Sequence, residues 1–133
     1  MRQVACPIAL HPDGGTRRIP AFEHPQAGLQ LVKGGIKPGE APHAAAAREL
    51  FEEAGLETRA ALPIGQSDGI VAGACWHFAL CRVVPPVRAR WQHLCADDGG
   101  HVFRFFWLAL DEDPPDGFDP QFLRALDWIR AAL

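Results

Sequence analysis

A glycine-rich loop that leads directly into a short acidic helix constrains this chain more than any other feature. The stretch from 34 to 56 reads GGIKPGEAPHAAAARELFEEAGL. Pro42 suits the first position of a helix and Gly55 suits the residue that ends one, so the stretch predicts a helix over 42–54. The face that packs on a sheet is predicted by small and apolar residues three or four positions apart, namely Ala46, Ala47, Leu50 and Ala54.

The end of this predicted helix crowds carboxylates together. Glu49, Glu52 and Glu53 stand at positions i, i+3 and i+4, which share one face of a helix. Each like-charge pair at this spacing costs about 0.2–0.5 kcal/mol, and the helix dipole disfavours negative charge at this end. A bound divalent cation removes both penalties, and Mg²⁺ prefers carboxylate oxygens completed by water and substrate phosphates. A solvated acidic face is the alternative interpretation of the same residues.

The loop before the helix has the composition of a ligand-binding segment. Gly34 and Gly35 let backbone groups approach a ligand without a side chain between them. Arg48 directly precedes the carboxylate cluster, and we expect it to reach back to Glu40 across the loop. This ion pair would fix the loop against the helix.

The rest of the chain predicts strands on both sides of this helix and a second helix at the end. HPDGG at 11–15 is predicted to be a hairpin turn that joins the first two strands, and ADDGG at 96–100 closes the last antiparallel pair. Asp119 caps the last helix, which Pro120 begins and which has one apolar face. The predicted strands lie at 2–10, 17–24, 29–32, 57–69, 73–84, 87–95 and 101–110. This order predicts one α+β (mixed α/β) domain over 1–133, with helices on the faces of a mixed sheet.

Composition excludes several classes of function. The 133 residues carry a net charge of −3, so there is no basic excess for binding a long nucleic acid. No apolar run is long enough to span a membrane, and the N-terminus does not resemble a signal peptide, so we predict a cytoplasmic protein. The four cysteines, at 6, 75, 81 and 95, form no C-x-x-C pair and are predicted to be reduced core residues.

The acidic stretch resembles the signature box of the Nudix hydrolases at every specified position. The matching residues are Gly34, Glu40, Arg48, Glu49, Leu50, Glu52, Glu53, Gly55 and Leu56. The resemblance implies an α/β/α sandwich with a mixed central sheet. It also implies Mg²⁺-dependent hydrolysis, with Mn²⁺ as a substitute, of a diphosphate linkage in a nucleoside diphosphate linked to another group X. The alternatives are a non-catalytic nucleotide or sugar-nucleotide binding module of the same fold and a structural metal-binding protein.

The resemblance also implies a role for each acidic position. Glu49, Glu52 and Glu53 match the metal ligands, and Glu52 is either a ligand or the group that orients and deprotonates water. Glu40 and Arg48 match the positions that support the box, and Arg48 is grouped with Glu52 and Glu53 as catalytic. A backbone carbonyl at 33 or 34 would complete the coordination. We expect a small nucleotide-type substrate and either a monomer or a homodimer.

Basic residues beside the loop are candidates for phosphate contact. Lys33 and Lys37 flank the two glycines, and surface solvation is the alternative for both. Val32 stands where many relatives have proline, and Lys37 stands where many have an acidic residue. Arg104 is flanked by apolar residues on a predicted strand, so we expect it to be buried and to need an anionic partner, either an Asp or Glu side chain or substrate phosphate.

The remaining candidates lie outside the box. An additional catalytic base would come from Asp97, Asp98 or Glu112, for which a turn or cap role is the alternative. His24, Gln26 and Gln30 are candidates to face a ligand, with a structural or solvent-facing role as the alternative. Alternating aromatic residues on the strands at 73–84 and 101–110 predict core packing, with base stacking as the alternative. We interpret His77, His93 and His101 as ordinary polar strand residues.

Overall fold

Two four-stranded sheets and two helices form the part of the chain that this computed structural model describes, residues 1–96 and 99–133. In chain order the elements are β1 (Arg2–Ile8), β2 (Arg18–His24), β3 (Gly28–Leu31), β4 (Gly34–Gly35), α1 (Pro42–Ala54), β5 (Thr58–Ser67), β6 (Ala74–Val83), β7 (Arg90–Cys95), β8 (His101–Ala109) and α2 (Pro120–Ala132). The predicted mixed α+β class is confirmed.

The two sheets differ in strand direction. The first sheet has the order β4-β1-β6-β5 and is mixed, because β1 and β6 run parallel. The second has the order β3-β2-β8-β7 and is antiparallel throughout. The predicted antiparallel pair near the end of the chain is therefore confirmed as β7 and β8. The sequence did not predict the short strand β4 in the glycine loop, which pairs with β1.

The predicted hairpin between the first two strands is wrong. β1 belongs to the first sheet and β2 to the second, although the backbone N–H of His11 still donates to the carbonyl of Arg18 across the turn (2.9 Å). The physical reason lies in β1 itself, whose last five residues are buried without alternation. A strand buried on both faces suits the interior of a sheet with a parallel neighbour, and β1 pairs with β4 and β6.

Helix α1 has the predicted bounds. It ends at Gly55, whose backbone is left-handed (φ 71°) and whose N–H donates to the carbonyl of Phe51. The buried face differs from the prediction in one alanine, since Ala45 is buried and Ala47 is half-buried. Glu49 lies on this buried face. The helix contacts strands of both sheets, so its position is fixed from two sides.

The remaining predictions about the core are confirmed. The N-cap side chain of Asp119 accepts the backbone N–H of Gln121, and α2 buries its apolar face in a core that includes residues of both sheets. All four cysteines are buried and free of disulfides, and burial raises the pKa of Cys81 to about 11. Alternating aromatic residues of β6 and β8 lie in the core, namely Trp76, Phe78, Phe103 and Phe105. Neither helix of the described residues has the length and apolar character to cross a membrane.

Candidate active site

Strand β4 brings the glycine loop against the carboxylates of α1. Gly34 lies opposite Ala5 of β1. A Cβ atom at Gly34 would lie 2.1 Å from Cδ of Glu49 and 2.3 Å from both of its carboxylate oxygens, whereas a Cβ at Gly35 would meet nothing within 4 Å. Gly34 is therefore required for the approach of Glu49 to the loop backbone. The space left by the missing side chain is filled by this carboxylate.

Arg48 joins the loop to the helix. Its Nε and Nη2 donate to the two carboxylate oxygens of Glu40 at 2.8 and 2.9 Å, so the predicted ion pair is present. Its Nη1 donates to Glu49 at 2.8 Å and to Glu52 at 3.1 Å, and its Nη2 also donates to the carbonyl oxygen of Gly35 at 2.9 Å. A single guanidinium thus fixes three carboxylates and the β4 backbone relative to one another.

Glu40 is held ionised by this arrangement. The guanidinium of Arg48 and the backbone N–H of Lys37 both donate to its carboxylate and lower its pKa to about 2. The same hydrogen bonds raise the pKa of Arg48 above its ordinary value. Because these bonds favour the charged forms, the ion pair persists across the pH range in which the protein would be assayed.

Glu49 and Glu53 form a carboxylate pair with little access to water. Glu49 is 6% exposed and is the charged residue that is buried among the described residues. Loss of solvent and the neighbouring carboxylate of Glu49 raise the pKa of Glu53 well above its ordinary value. The ammonium and backbone N–H of Lys33 oppose this shift. Two carboxylates so placed favour either a shared proton or a cation.

The pair opens into a cavity of about 460 Å³ between the two sheets. Among the residues predicted for the site, the structure brings Lys33, Gly34, Gly35, Glu49 and Glu53 together on its wall. Two of the proposed ligand-facing residues, His24 and Gln30, also line it, whereas Gln26 does not. The volume lies within the range of small-molecule sites, about 300–1,000 Å³.

Sequence reasoning missed part of this wall. Arg2 of β1 lines the cavity, and so do Cys95, His101 and Phe103 at the joined ends of β7 and β8. His101 had been interpreted as an ordinary polar residue. The alternation of β8 gave a signal for His101 and Phe103, which share one face, but Arg2 is brought to the site by strand pairing that no local pattern encodes.

Several predicted residues lie outside the cavity lining. The side chain of Glu52 is 40% exposed and is held by Arg48. Lys37 and Glu112 are exposed. Arg104 was expected to be buried, which is wrong: it is exposed on β8, where it pairs with Glu23 and Gln92 across the neighbouring strands, because the second sheet turns that face to solvent. Asp97 and Asp98 lie outside the described residues.

The donor set fits a hard divalent cation that keeps some of its own water. Among residues 1–96 and 99–133, no three His, Cys, Asp or Glu side chains are grouped so as to hold a metal ion by themselves. Mg²⁺ is usually bound through one or two carboxylates, with water and substrate phosphates completing its octahedron. Glu49, which is packed against the Gly34 backbone, and the neighbouring Glu53 provide such a pair. The arrangement therefore suits a metal shared with a phosphate ligand.

Comparison with known proteins places this site in a family. The family model of the NUDIX domain matches residues 1–131. A structure described as an ADP compounds hydrolase has 18% sequence identity and a TM-score of 0.70, over 98% of this chain and 71% of that chain. The MutT Nudix hydrolase from Burkholderia pseudomallei has 21% identity and a TM-score of 0.63, over 95% of each chain. The Nudix hydrolase from Nitrosomonas europaea has 19% identity and a TM-score of 0.65, over 98% of this chain and 88% of that one.

A comparison with curated proteins found no match. The solved structures share the fold, and the family match covers nearly the whole chain. The chain therefore belongs to the Nudix family and is a pyrophosphohydrolase of that type. Members of this family act on nucleoside diphosphate derivatives and generally use divalent metal ions.

Proposed function

We propose that this protein hydrolyses the diphosphate linkage of a nucleoside diphosphate linked to a further group X, with Mg²⁺ as the metal and Mn²⁺ as a substitute. One observation carries the proposal: Glu49, packed against Gly34, and the neighbouring Glu53 both lie on the wall of a cavity of suitable size. Two desolvated carboxylates are costly unless a cation or a proton joins them. A cation that also binds phosphate explains why the pair opens into the cavity.

Glu49 and Glu53 would hold the metal, with the loop backbone at 33 or 34 as a further oxygen donor. When bound, the metal would neutralise phosphate charge and activate the attacking water. Glu52 shares Nη1 of Arg48 with Glu49, so it lies beside the pair although it does not line the cavity. We assign Glu52 as a further ligand or as the base that accepts the proton of the water.

The cationic residues divide into two groups. Lys33 and Arg2 are the lysine and arginine residues that line the cavity in the described part of the chain, and we assign them to the phosphate oxygens. Arg48 is a positioning residue, since its guanidinium is engaged with Glu40, Glu49 and Glu52. Because Lys37 is exposed, we assign its side chain no contact with a substrate inside the cavity. Its backbone N–H donates to the carboxylate of Glu40 instead.

The test is hydrolysis of a panel of diphosphate compounds with Mg²⁺ and then with Mn²⁺. We expect Glu53→Gln to lower kcat/KM by roughly 100-fold or more, because it removes one metal ligand without changing side-chain size. Glu57→Gln is the matched control, since it makes the same change at an exposed position outside the cavity lining. A chelator should abolish turnover of the native protein.

Two results would contradict the proposal. Full activity of Glu53→Gln would exclude the carboxylate pair as the metal site. Binding of nucleotides without turnover of any compound would favour the non-catalytic binding module. We also propose that the protein acts in the cytoplasm, as a monomer or as a homodimer.

A further inference from the structure

One face of the second sheet changes from apolar rings to imidazole rings where it reaches the cavity. Phe22 and Phe105 lie in the core, with ring centroids 5.0 Å apart. Next along the same face comes Phe103, stacked on Phe22 at 4.3 Å. His24 and His101 follow, two residues further along β2 and β8, on the same face because strand side chains alternate.

These terminal rings form a continuous wall. The ring of His24 lies 5.2 Å from that of Phe103 and 4.9 Å from that of His101, measured between centroids. All three line the cavity that contains Glu49 and Glu53. We call His24, Phe103 and His101 the ring wall.

Two members of the ring wall, His24 and Phe103, are held in place before any ligand binds. Nδ1 of His24 accepts the backbone N–H of Gln26 at 3.0 Å in the tight turn between β2 and β3. Phe103 is 7% exposed and packs on the core. Rings fixed by packing and by a turn lose little freedom when they contact a ligand, which favours binding.

The cavity therefore has two walls of different chemistry. Carboxylates and cations of the lining come from α1, β1 and the glycine loop, whereas its rings come from the second sheet. A substrate of the proposed class has the same division, with a charged diphosphate joined to a flat, uncharged base. Base–aromatic stacking tolerates different bases because every base has a π-face.

We propose that the ring wall receives the nucleobase of the substrate, and that His24 and His101 are specificity-determining residues that select base-bearing diphosphates by ring-face contact. This inference rests on the proposed function, because the diphosphate must lie at Glu49 and Glu53 for the base to reach the wall. Contact through ring faces predicts weak discrimination among the bases and strong discrimination against a diphosphate that has no base.

Equilibrium binding of compounds that resist hydrolysis tests the inference. The probes are the α,β-methylene analogues of the ribonucleoside diphosphates and base-free methylenediphosphonate, each titrated calorimetrically with Mg²⁺. We expect the native protein to bind the nucleotide analogues more tightly than methylenediphosphonate. His24→Asn and His101→Ala should each lower the ratio of these two affinities roughly 5- to 150-fold, the range for loss of one stacking ring.

Two further variants make the test specific. Asn at position 24 keeps an acceptor for the N–H of Gln26 but removes the ring, whereas His24→Phe keeps the ring and removes the acceptor. Ring-face contact predicts that His24→Phe keeps the ratio of the affinities for the nucleotide analogues and for methylenediphosphonate to within about threefold of the native value. His11→Ala is the matched control, because His11 also contacts an aromatic ring, that of Trp107, but does not line the cavity.

Three results would overturn the inference. The native protein could bind both kinds of probe equally tightly, or His24→Asn could weaken the binding of both kinds equally. His24→Phe could also lose as much affinity for the nucleotide analogues as His24→Asn does. These outcomes are distinct from failure of the proposed function, because the titration needs no turnover. If the native protein binds the nucleotide analogues more tightly than methylenediphosphonate but hydrolyses no compound, hydrolysis is refuted and base recognition is supported. If the protein hydrolyses its substrate but binds both kinds of probe equally tightly, base recognition is refuted and hydrolysis is supported.

Discussion

Replacing Gly34 with alanine is the sharpest test of how the loop positions the carboxylate pair. The added Cβ would lie 2.1 Å from Cδ of Glu49, whereas ordinary contact begins at 3.4 Å. The carboxylate must therefore move by about 1 Å, away from the oxygen positions that Arg48 now fixes. A misplacement of about 1 Å in a catalytic group can cost roughly 100-fold in rate. We expect kcat/KM for the best diphosphate substrate to fall by about that factor.

The same substitution should leave the fold intact. The backbone of Gly34 is not left-handed, so alanine is sterically allowed there, and the atoms that must move are at the end of a flexible side chain. We therefore expect Tm to change by only a few degrees, on the order of 1 kcal/mol of stability for a chain of this length.

Gly35→Ala is the matched control. It adds the same atom to the same two-residue strand, where nothing lies within 4 Å. Kinetics of both variants and thermal unfolding by circular dichroism should be measured together. Equal activity of the two variants would refute the reasoning, and so would a Gly34→Ala protein whose lost activity is matched by lost secondary structure.

Three further predictions concern Glu40, the glycine that ends α1, and the metal. Glu40 has a folded-state pKa of about 2, below its ordinary 4.5, so its contribution to stability is present above pH 4.5 and is lost as the pH falls toward 2. The stability difference between native protein and Glu40→Gln, measured by urea unfolding, should shrink over that window, and a constant difference would contradict this account. Gly55→Ala should destabilise the protein by about 1–2 kcal/mol from its left-handed backbone alone, and by more because the added Cβ would lie 2.8 Å from Nδ1 of His93. Gly73→Ala, left-handed but with open space, should cost less in the same unfolding assay. Adding Mg²⁺ at 100 times its Kd should stabilise the native protein by about 2.7 kcal/mol, or roughly 10 °C in Tm, and Glu53→Gln should lose most of that shift.

Local sequence signals determined the helices and the loop-to-helix connection. Pro42 and Gly55 marked the bounds of α1 because both act through their own backbone conformation. The ion pair between Arg48 and Glu40 was predictable because only eight residues separate them, with one loop between. Asp119 predicted the start of α2 by capping within two residues of its own position. Each of these depends on neighbours in the chain.

Strand pairing decided what the sequence by itself did not. β1 joins the first sheet because its buried run pairs with β6, some seventy residues away, and this pairing brings Arg2 to the cavity. The exposed face of the second sheet left Arg104 in solvent.

Helical spacing placed Glu49, Glu52 and Glu53 on one face, but it could not say which of them faces the cavity. The packing of α1 between the two sheets places Glu49 and Glu53 on the cavity wall and leaves Glu52 exposed beside Arg48. The sequence by itself therefore determined the family signature and the helix that carries it. The tertiary structure decided which side chains share the cavity, because burial and long-range pairing depend on the whole fold.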